Sequence, residues 1–425
     1  MNTKNHIIEQ GLALQKTALG HSRLKSCASA VRCAVIFLLA AFTGLGSLEN
    51  AQAFDCGSTG AYGPMNIISN TTLQLPPDDI FNCTTITVAF GATLTFSNNS
   101  LNTPVYLLAT SNVTINGTID VSGQFASASR PGLGGPGGFS GGCVGSIITG
   151  LDAGGDGLGP GGGKANLSCG VYGTPIIFTG DQAIYSNTNT YGNSLLIPLI
   201  GGSGGGGCSR TGLNMPGGGG GGAILIASDT KITVNGAVNS NGGNSLLAGV
   251  WWIGPGGSGG AIRLVAPMVT GTGTIAAQGC LWCMVPGYGN AVMSSGRIRF
   301  DCTDNQGYAT LNLLTPATRG SHMIIFPAVM PALDIIAVGG QPIAQGTNSS
   351  VIVELAVGAS TNQTVHVQAR NFTNDVPISV VVTPQHGPSA SFDAVILQSS
   401  GNPPSANVPV IIPAGSACQI NAWTR

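Results

Sequence analysis

The sequence predicts an all-β protein: a parallel β-solenoid (right-handed β-helix) that carries a glycine-rich insertion, followed by a small antiparallel β-sandwich. Three observations predict it. Beyond residue 53 the chain is dominated by Thr, Val, Ile, Asn and Gly, residues that favour strands and turns. A unit of short strands separated by a glycine corner recurs along the chain. Glycine then falls to 7 of 95 residues from Pro331 to Arg425, where ordinary strand spacing takes over.

Composition excludes several classes. Charged residues are 7% of the 425, against about 25% in ordinary domains. A hydrophobic fraction of 43% with a net charge of −1 does not describe a solvated disordered chain. Fifteen Lys and Arg spread thinly cannot make a basic footprint, so no nucleic-acid partner is expected. The 67 glycines lack the strict period of three that collagen requires.

At the N-terminus, Arg23, Lys25 and Arg32 precede an apolar run from Ala34 to Leu45, and Ala51-Gln52-Ala53 supplies a small-x-small site. That order reads as a secretory signal peptide over residues 1–53, cleaved after Ala53. The apolar run of 12 residues is short of the ~20 that span a bilayer, so no transmembrane anchor is expected after cleavage. The remaining chain starts at Phe54 with 10 basic and 14 acidic residues, a net charge of −4. It holds nine cysteines: Cys56, Cys83, Cys143, Cys169, Cys208, Cys280, Cys283, Cys302 and Cys418. Export makes all nine disulfide candidates, and the odd number leaves at least one free or paired between chains.

Residues 54–320 form the expected solenoid. Val105–Ala109 is followed by Val113–Ile119 and closes at Gly123. Ala223–Ala227 is followed by Ile232–Val238 and closes at Gly242. Ala261–Ala266 is followed by Val269–Ile275 and closes at Gly279. The central glycines Gly117, Gly236 and Gly273 each stand six residues before the closing one. A weaker copy runs from Ile86 to Leu94. Alternation turns every second side chain inward, and the corner glycine is expected to supply a positive φ. A unit that cannot bury its own face must stack on its neighbours, with Ile115, Val234 and Val269 at equivalent positions.

The insertion, residues 125–222, contains 33 glycines in 98 residues. It reads either as a flexible linker or as an ordered surface in which missing side chains let backbones pack closely; Cys143, Cys169 and Cys208 would staple the latter. Gly217–Gly222 and Gly256–Gly260 run directly into an Ala-Ile strand, so the glycine run belongs to the strand's approach. From 331 to 425, Ser350–Leu355, Thr364–Ala369 and Ile378–Val382 read as strands of the β-sandwich.

The Ala-Ile-Leu-Ile-Ala strand, the Thr-Val-Asn-Gly corner and the flanking glycine runs resemble the Gly-rich parallel β-helix proteins that bacteria export, many of them adhesin-like. The tail resembles the immunoglobulin-like modules often appended to them. The resemblance implies an extracellular or cell-surface location and carries no catalytic residues over.

Parallel β-helices also house polysaccharide lyases and hydrolases, which need clustered carboxylates. Asp78 and Asp79 are neighbours whose side chains would point apart on a strand, so they read as turn residues. Asp301 and Asp304 flank Cys302 near Arg297 and Arg299, the densest charge in the chain, and are the weak catalytic candidates. Their favoured reading is a surface ion-pair group that closes the last coil. The histidines beyond residue 53, His322, His366 and His386, stand in no nucleophile motif. Cys280-Leu281-Trp282-Cys283 has no second pair, so no zinc is expected and a structural disulfide is. Asp156 is the single carboxylate of Gly154–Gly159, too few for calcium. No glycine run ends in the Lys-Ser/Thr of a phosphate loop, and neither cofactor nor metal is expected. Trp251 and Trp252 sit in glycine-rich loops, either capping the core or stacking on sugar rings, and are the ligand-binding candidates. The expected role is that of a secreted, non-catalytic structural or adhesive protein whose partners are glycans, a host or neighbouring cell surface, or the chain itself. A polysaccharide lyase or hydrolase and a self-assembling filament subunit are the alternatives.

Overall fold

The computed structural model describes residues 53–99, 101–128, 130–144, 154–165, 168–177, 183, 186–210, 213–245, 247–248, 252–280, 294–304, 307–344, 351–384 and 388–424. They are all-β, with only short 3₁₀ turns such as Gly307–Thr310. Among the described residues, no helix is long and apolar enough to cross a membrane.

Each sequence repeat deals its strands to three parallel sheets in turn. Ala223–Ser228 lies in the first sheet between Val105–Ala109 and Ala261–Val265. Lys231–Val234 lies in the second between Val113–Ile115 and Met268–Thr270. Ala237–Asn239 lies in the third between Thr118–Asp120 and Thr274–Ala276. The weaker copy joins the same stack: Ile86–Val88 pairs with Val113–Ile115, and Thr93–Ser97 with Thr118–Asp120. A strand this short cannot bury a face alone, and stacking turns each inward position into a ladder. Phe81, Leu107, Ile226, Leu264 and Phe300 occupy one register row of the interior. Each such side chain contributes about 1.5–3 kcal/mol by burial. Tyr308 stacks on Phe300, with ring centroids 5.4 Å apart, at the far end.

Two expectations about the repeat need correction. Ile115 and Val234 are register partners, but Val269 pairs with Ile232, two residues earlier. The partner row of Val234 continues to Gly271, because the third copy reads Val-Thr-Gly-Thr-Gly where the second reads Ile-Thr-Val-Asn-Gly. Gly91 of the weaker copy does supply a positive φ, +80°, but Gly117, Gly236 and Gly273 do not. They supply room: a Cβ on Gly236 would collide with the carbonyl of Gly117, and one on Gly273 with that of Gly236. The corners stack backbone on backbone.

Both faces of the first sheet are buried along its central strands Ala223–Ser228 and Ala261–Val265, which explains their near-continuous apolar sequence. Ile224, Ile226, Ile262 and Leu264 face the interior. Ala223, Leu225, Ala227, Ala261 and Val265 face outward under Tyr172, Leu196, Leu199, Ile325 and Cys56. The second sheet instead shows solvent a row of Asn66, Thr87, Thr114, Thr233 and Thr270.

The glycine-rich segments are ordered wherever they are described. Within Gly217–Gly222 the donors rotate through three neighbours. Gly217 and Gly220 donate to Gly142 and Phe139, Gly218 and Gly221 to Pro255 and Ser258, and Gly219 and Gly222 to Gln124 and Val121, at 2.7–3.1 Å. The carbonyls of Gly217 and Gly220 accept from Gly132 and Gly135, and those of Gly218 and Gly221 from Gly205 and Gly202. A repeat of three residues is the screw of the polyproline II helix, which has no internal hydrogen bonds. Packed side by side, such helices satisfy their backbones through neighbours. Only glycine fits: a Cβ on Gly217, Gly219 or Gly220 would strike the carbonyl of Gly205, Leu133 or Gly202.

Pro331–Arg425 supplies two antiparallel sheets. One orders Gln341–Pro342, Ala332–Val338, Asn362–Arg370 and Ser405–Ile411; the other orders Ala390–Ile396, Val376–Pro384 and Cys418–Thr424. They share a core of Val365, Val367, Ile378, Val380, Val382 and Val408. The strand expected at Ser350–Leu355 is not formed: Val351–Leu355 has no ladder partner, though Val353 packs on that core.

Candidate functional site

The densest charge belongs to the outward but covered face of the first sheet. Arg297, Arg299 and Asp301 alternate along one strand and so share a face. Arg263 lies directly across from Arg299 on the neighbouring strand. Arg263 donates from Nε and Nη2 to Asp301 Oδ2, at 3.1 and 3.0 Å. Arg299 donates from Nε and Nη2 to Oδ1, at 3.0 and 2.7 Å, and the His322 amide adds a bond of 3.0 Å to the same oxygen. Arg263 also donates to the carbonyls of His322 and Ile324, at 2.8 and 3.0 Å. Desolvation pulls the Arg263 guanidinium below its ordinary value, and the Asp301 charge opposes that shift. Burial pushes the Tyr106 phenol up to about 12.

This corrects the view of Asp301 as a surface group. Its carboxylate is fully buried and saturated by five donors, with no room for a substrate. What it holds is the segment 321–324, laid over the sheet. Asp304 lies outside the cluster, in a turn where its amide donates to Pro267 O at 2.9 Å. Arg297 also turns elsewhere: it donates to Tyr191 O and lies 5.4 Å from the Tyr172 ring centre. The partner missed from sequence is Arg263. Its signal was one cation inside the apolar strand Ala-Ile-Arg-Leu-Val.

Asp79 does sit in a turn, with φ +62° and Asn99 Nδ2 donating to its carboxylate at 2.9 Å. Trp251 and the Cys280–Cys283 loop beyond Cys280 lie outside the described residues. Trp252 begins a short strand, Trp252–Ile253, antiparallel to Leu247–Ala248, and its side chain is likewise undescribed.

Five of the nine cysteines depart from the disulfide expectation, and the side chains of Cys208 and Cys283 lie outside the described residues. Cys56, Cys83, Cys169, Cys302 and Cys418 are free thiols, while Cys280 is disulfide-bonded. Geometry explains one separation. Cys83 and Cys302 occupy the same interior row, but Ala109, Ser228 and Ala266 stand between them. At about 4.8 Å per strand they are far beyond disulfide reach. Burial pushes the Cys83 thiol up to about 11. Burial, then the hydrogen bond with Asp229, pushes Cys56 up to about 12. Among the described residues no group of three or more His, Cys, Asp or Glu side chains comes together.

A cleft of about 560 Å³, counted to its open mouth, separates the glycine bundle from the C-terminal sheets. One wall is the backbone of Gly157–Gly162 with Asp156, Lys164 and Asn189. The other is the outward face of the three-stranded sheet, where Asp393, Ser379 and Trp423 form one cross-strand row, and Ser391 and Val381 part of the next. Trp423 packs edge-on against Phe139, with ring centroids 5.4 Å apart. Asp156 is already engaged: Lys164 Nζ donates to it at 2.7 Å and the Ala165 amide at 2.8 Å. No family model, no curated protein and no solved structure matches this chain.

Proposed function

We propose that this chain is an exported, non-catalytic structural or adhesive protein of the cell surface. In this reading the three-sheet winding is one parallel β-solenoid of the right-handed kind, the glycine bundle is a rigid buttress on it, and the tail is an immunoglobulin-like β-sandwich. The signal-like residues 1–53 and the resemblance to Gly-rich exported β-helix proteins motivate the location.

The observation that carries the reading is the enclosure of Asp301. A β-helix hydrolase or lyase needs a carboxylate that reaches its substrate and exchanges a proton. Here the one carboxylate flanked by arginines is spent on closing the scaffold. The experiment is direct. The purified protein is offered acidic and neutral polysaccharides, and separately immobilised cells and glycans. Retention on cells or glycans without new reducing or unsaturated ends is expected. Turnover of any of these polysaccharides, abolished by Asp304→Asn in a protein that stays folded, would replace this reading with the enzyme.

A further inference from the structure

The cleft between the glycine bundle and the C-terminal sheets has several lining polar groups without a protein partner among the described residues. Ser379 is only 5% exposed, yet its hydroxyl has no partner among the described residues and opens on the cleft. The oxygen itself is open to the cleft, so a ligand can take the place of its water. The Trp423 indole N–H and the Ser391 hydroxyl, on the same sheet face, have no side-chain partner either, and the Asn189 amide group reaches in from the opposite wall without one. The set mixes donors and acceptors around an aromatic ring.

The charges define the class of ligand. Among the described lining residues Lys164 is the basic side chain, and it is neutralised by Asp156. An anion would find no free cation among the described lining residues. A neutral ring with an apolar face and several hydroxyls would find a stacking surface on Trp423 and hydrogen bonds from Ser379, Ser391 and Asn189. Gly157, Gly159 and Gly162 of the other wall carry no side chains, and Leu158 and Pro160 between them add apolar surface. Ligand sites of this kind favour boundaries between packed units.

We propose that this cleft is a saccharide-binding site that takes one neutral sugar residue, with Trp423 as the stacking platform and Ser379 as the buried hydrogen-bonding group. The proposal deepens the adhesive reading and rests on it for its biological sense. It adds Trp423 as a sugar-contacting tryptophan beside the candidates Trp251 and Trp252, whose side chains lie outside the described residues.

The test titrates the full chain calorimetrically with glucose, galactose, mannose and N-acetylglucosamine, and with glucuronate as the charged comparison. Binding of at least one neutral sugar, with glucuronate weaker, is expected. Ser379→Ala should weaken it about fivefold and Trp423→Ala about tenfold or more, with Trp423→Phe in between. No binding of any neutral sugar, or binding that ignores both substitutions, overturns the site. Preference for glucuronate overturns the ligand class. If Trp423→Ala unfolds the protein, Ser379→Ala decides alone, since it removes a single oxygen. Cell retention unchanged in Ser379→Ala, with no sugar bound, sinks the site and leaves the adhesive reading standing. Sugar bound in the cleft without retention on cells does the reverse.

Discussion

Arg263 directs Nε and Nη2 at a single oxygen of Asp301, 3.1 and 3.0 Å away, and neither side chain is more than 1% exposed. The two residues come from neighbouring strands of the first sheet, Ala261–Val265 and Arg297–Asp301, and meet because those strands run parallel in register. With Arg299, the cluster carries one more positive than negative charge, offset by the carbonyls of Arg319, His322 and Ile324. Such a group is retained once formed because breaking it strands a buried charge.

Asp301→Asn should therefore behave as a stability variant. Two buried arginines lose their counter-charge, at a cost of about 3–5 kcal/mol. Urea unfolding monitored by circular dichroism reads this directly. A midpoint matching the parent protein would mean that the cluster contributes nothing to the fold.

The glycine corners should refuse a methyl group. Gly236→Ala would drive its Cβ into the Gly117 carbonyl, and Gly220→Ala into the Gly202 carbonyl. Each should cost about 3 kcal/mol or more, the upper range for overpacking. Gly63→Asn is the control, because φ is +64° there with nothing within 4 Å of a Cβ, and Asn tolerates that conformation. Equal losses in all three variants would refute the stacked-backbone account.

The amides of Gly217–Gly222 should exchange as slowly as those of the adjoining strand Ala223–Ser228. Each of the six glycine donors has a defined carbonyl partner at 2.7–3.1 Å, and all six residues are buried. Hydrogen exchange followed by mass spectrometry separates the cases. Complete exchange of the glycine peptide at the rate of a free peptide would make it a linker after all.

Alkaline pH should loosen the protein through Cys56. Its thiol moves from 9.0 to about 12 on folding, so below pH 9 it is neutral in both states and its contribution is intact. Between pH 9 and 12 the unfolded chain releases the proton while the folded one keeps it, and stability falls. Cys56→Ala should flatten this part of the profile, and native Cys56 should resist iodoacetamide at neutral pH. A profile unchanged by the substitution would place the alkaline transition elsewhere.

The all-β class, the recurrent strand units and the change of character near residue 331 follow from the sequence alone, because period-two alternation and turn residues act over a few positions. Val105–Ala109, Ala223–Ala227 and Ala261–Ala266 announce themselves as equivalent, and they pair as equivalents. The tertiary structure decided the rest. Polyproline II segments carry no side-chain period and satisfy no bond internally, so Gly217–Gly222 reads the same whether it is a linker or the centre of a bundle. Its order comes from neighbours drawn from Val121 to Ser258. The meeting of Arg263 with Asp301, and of Ser379 and Trp423 with Gly157–Gly162, depends on contacts between residues 38 to more than 200 positions apart. No local pattern encodes them: the charge in one strand and the unpaired hydroxyl in another become a cluster and a cleft only when sheets and backbone pack.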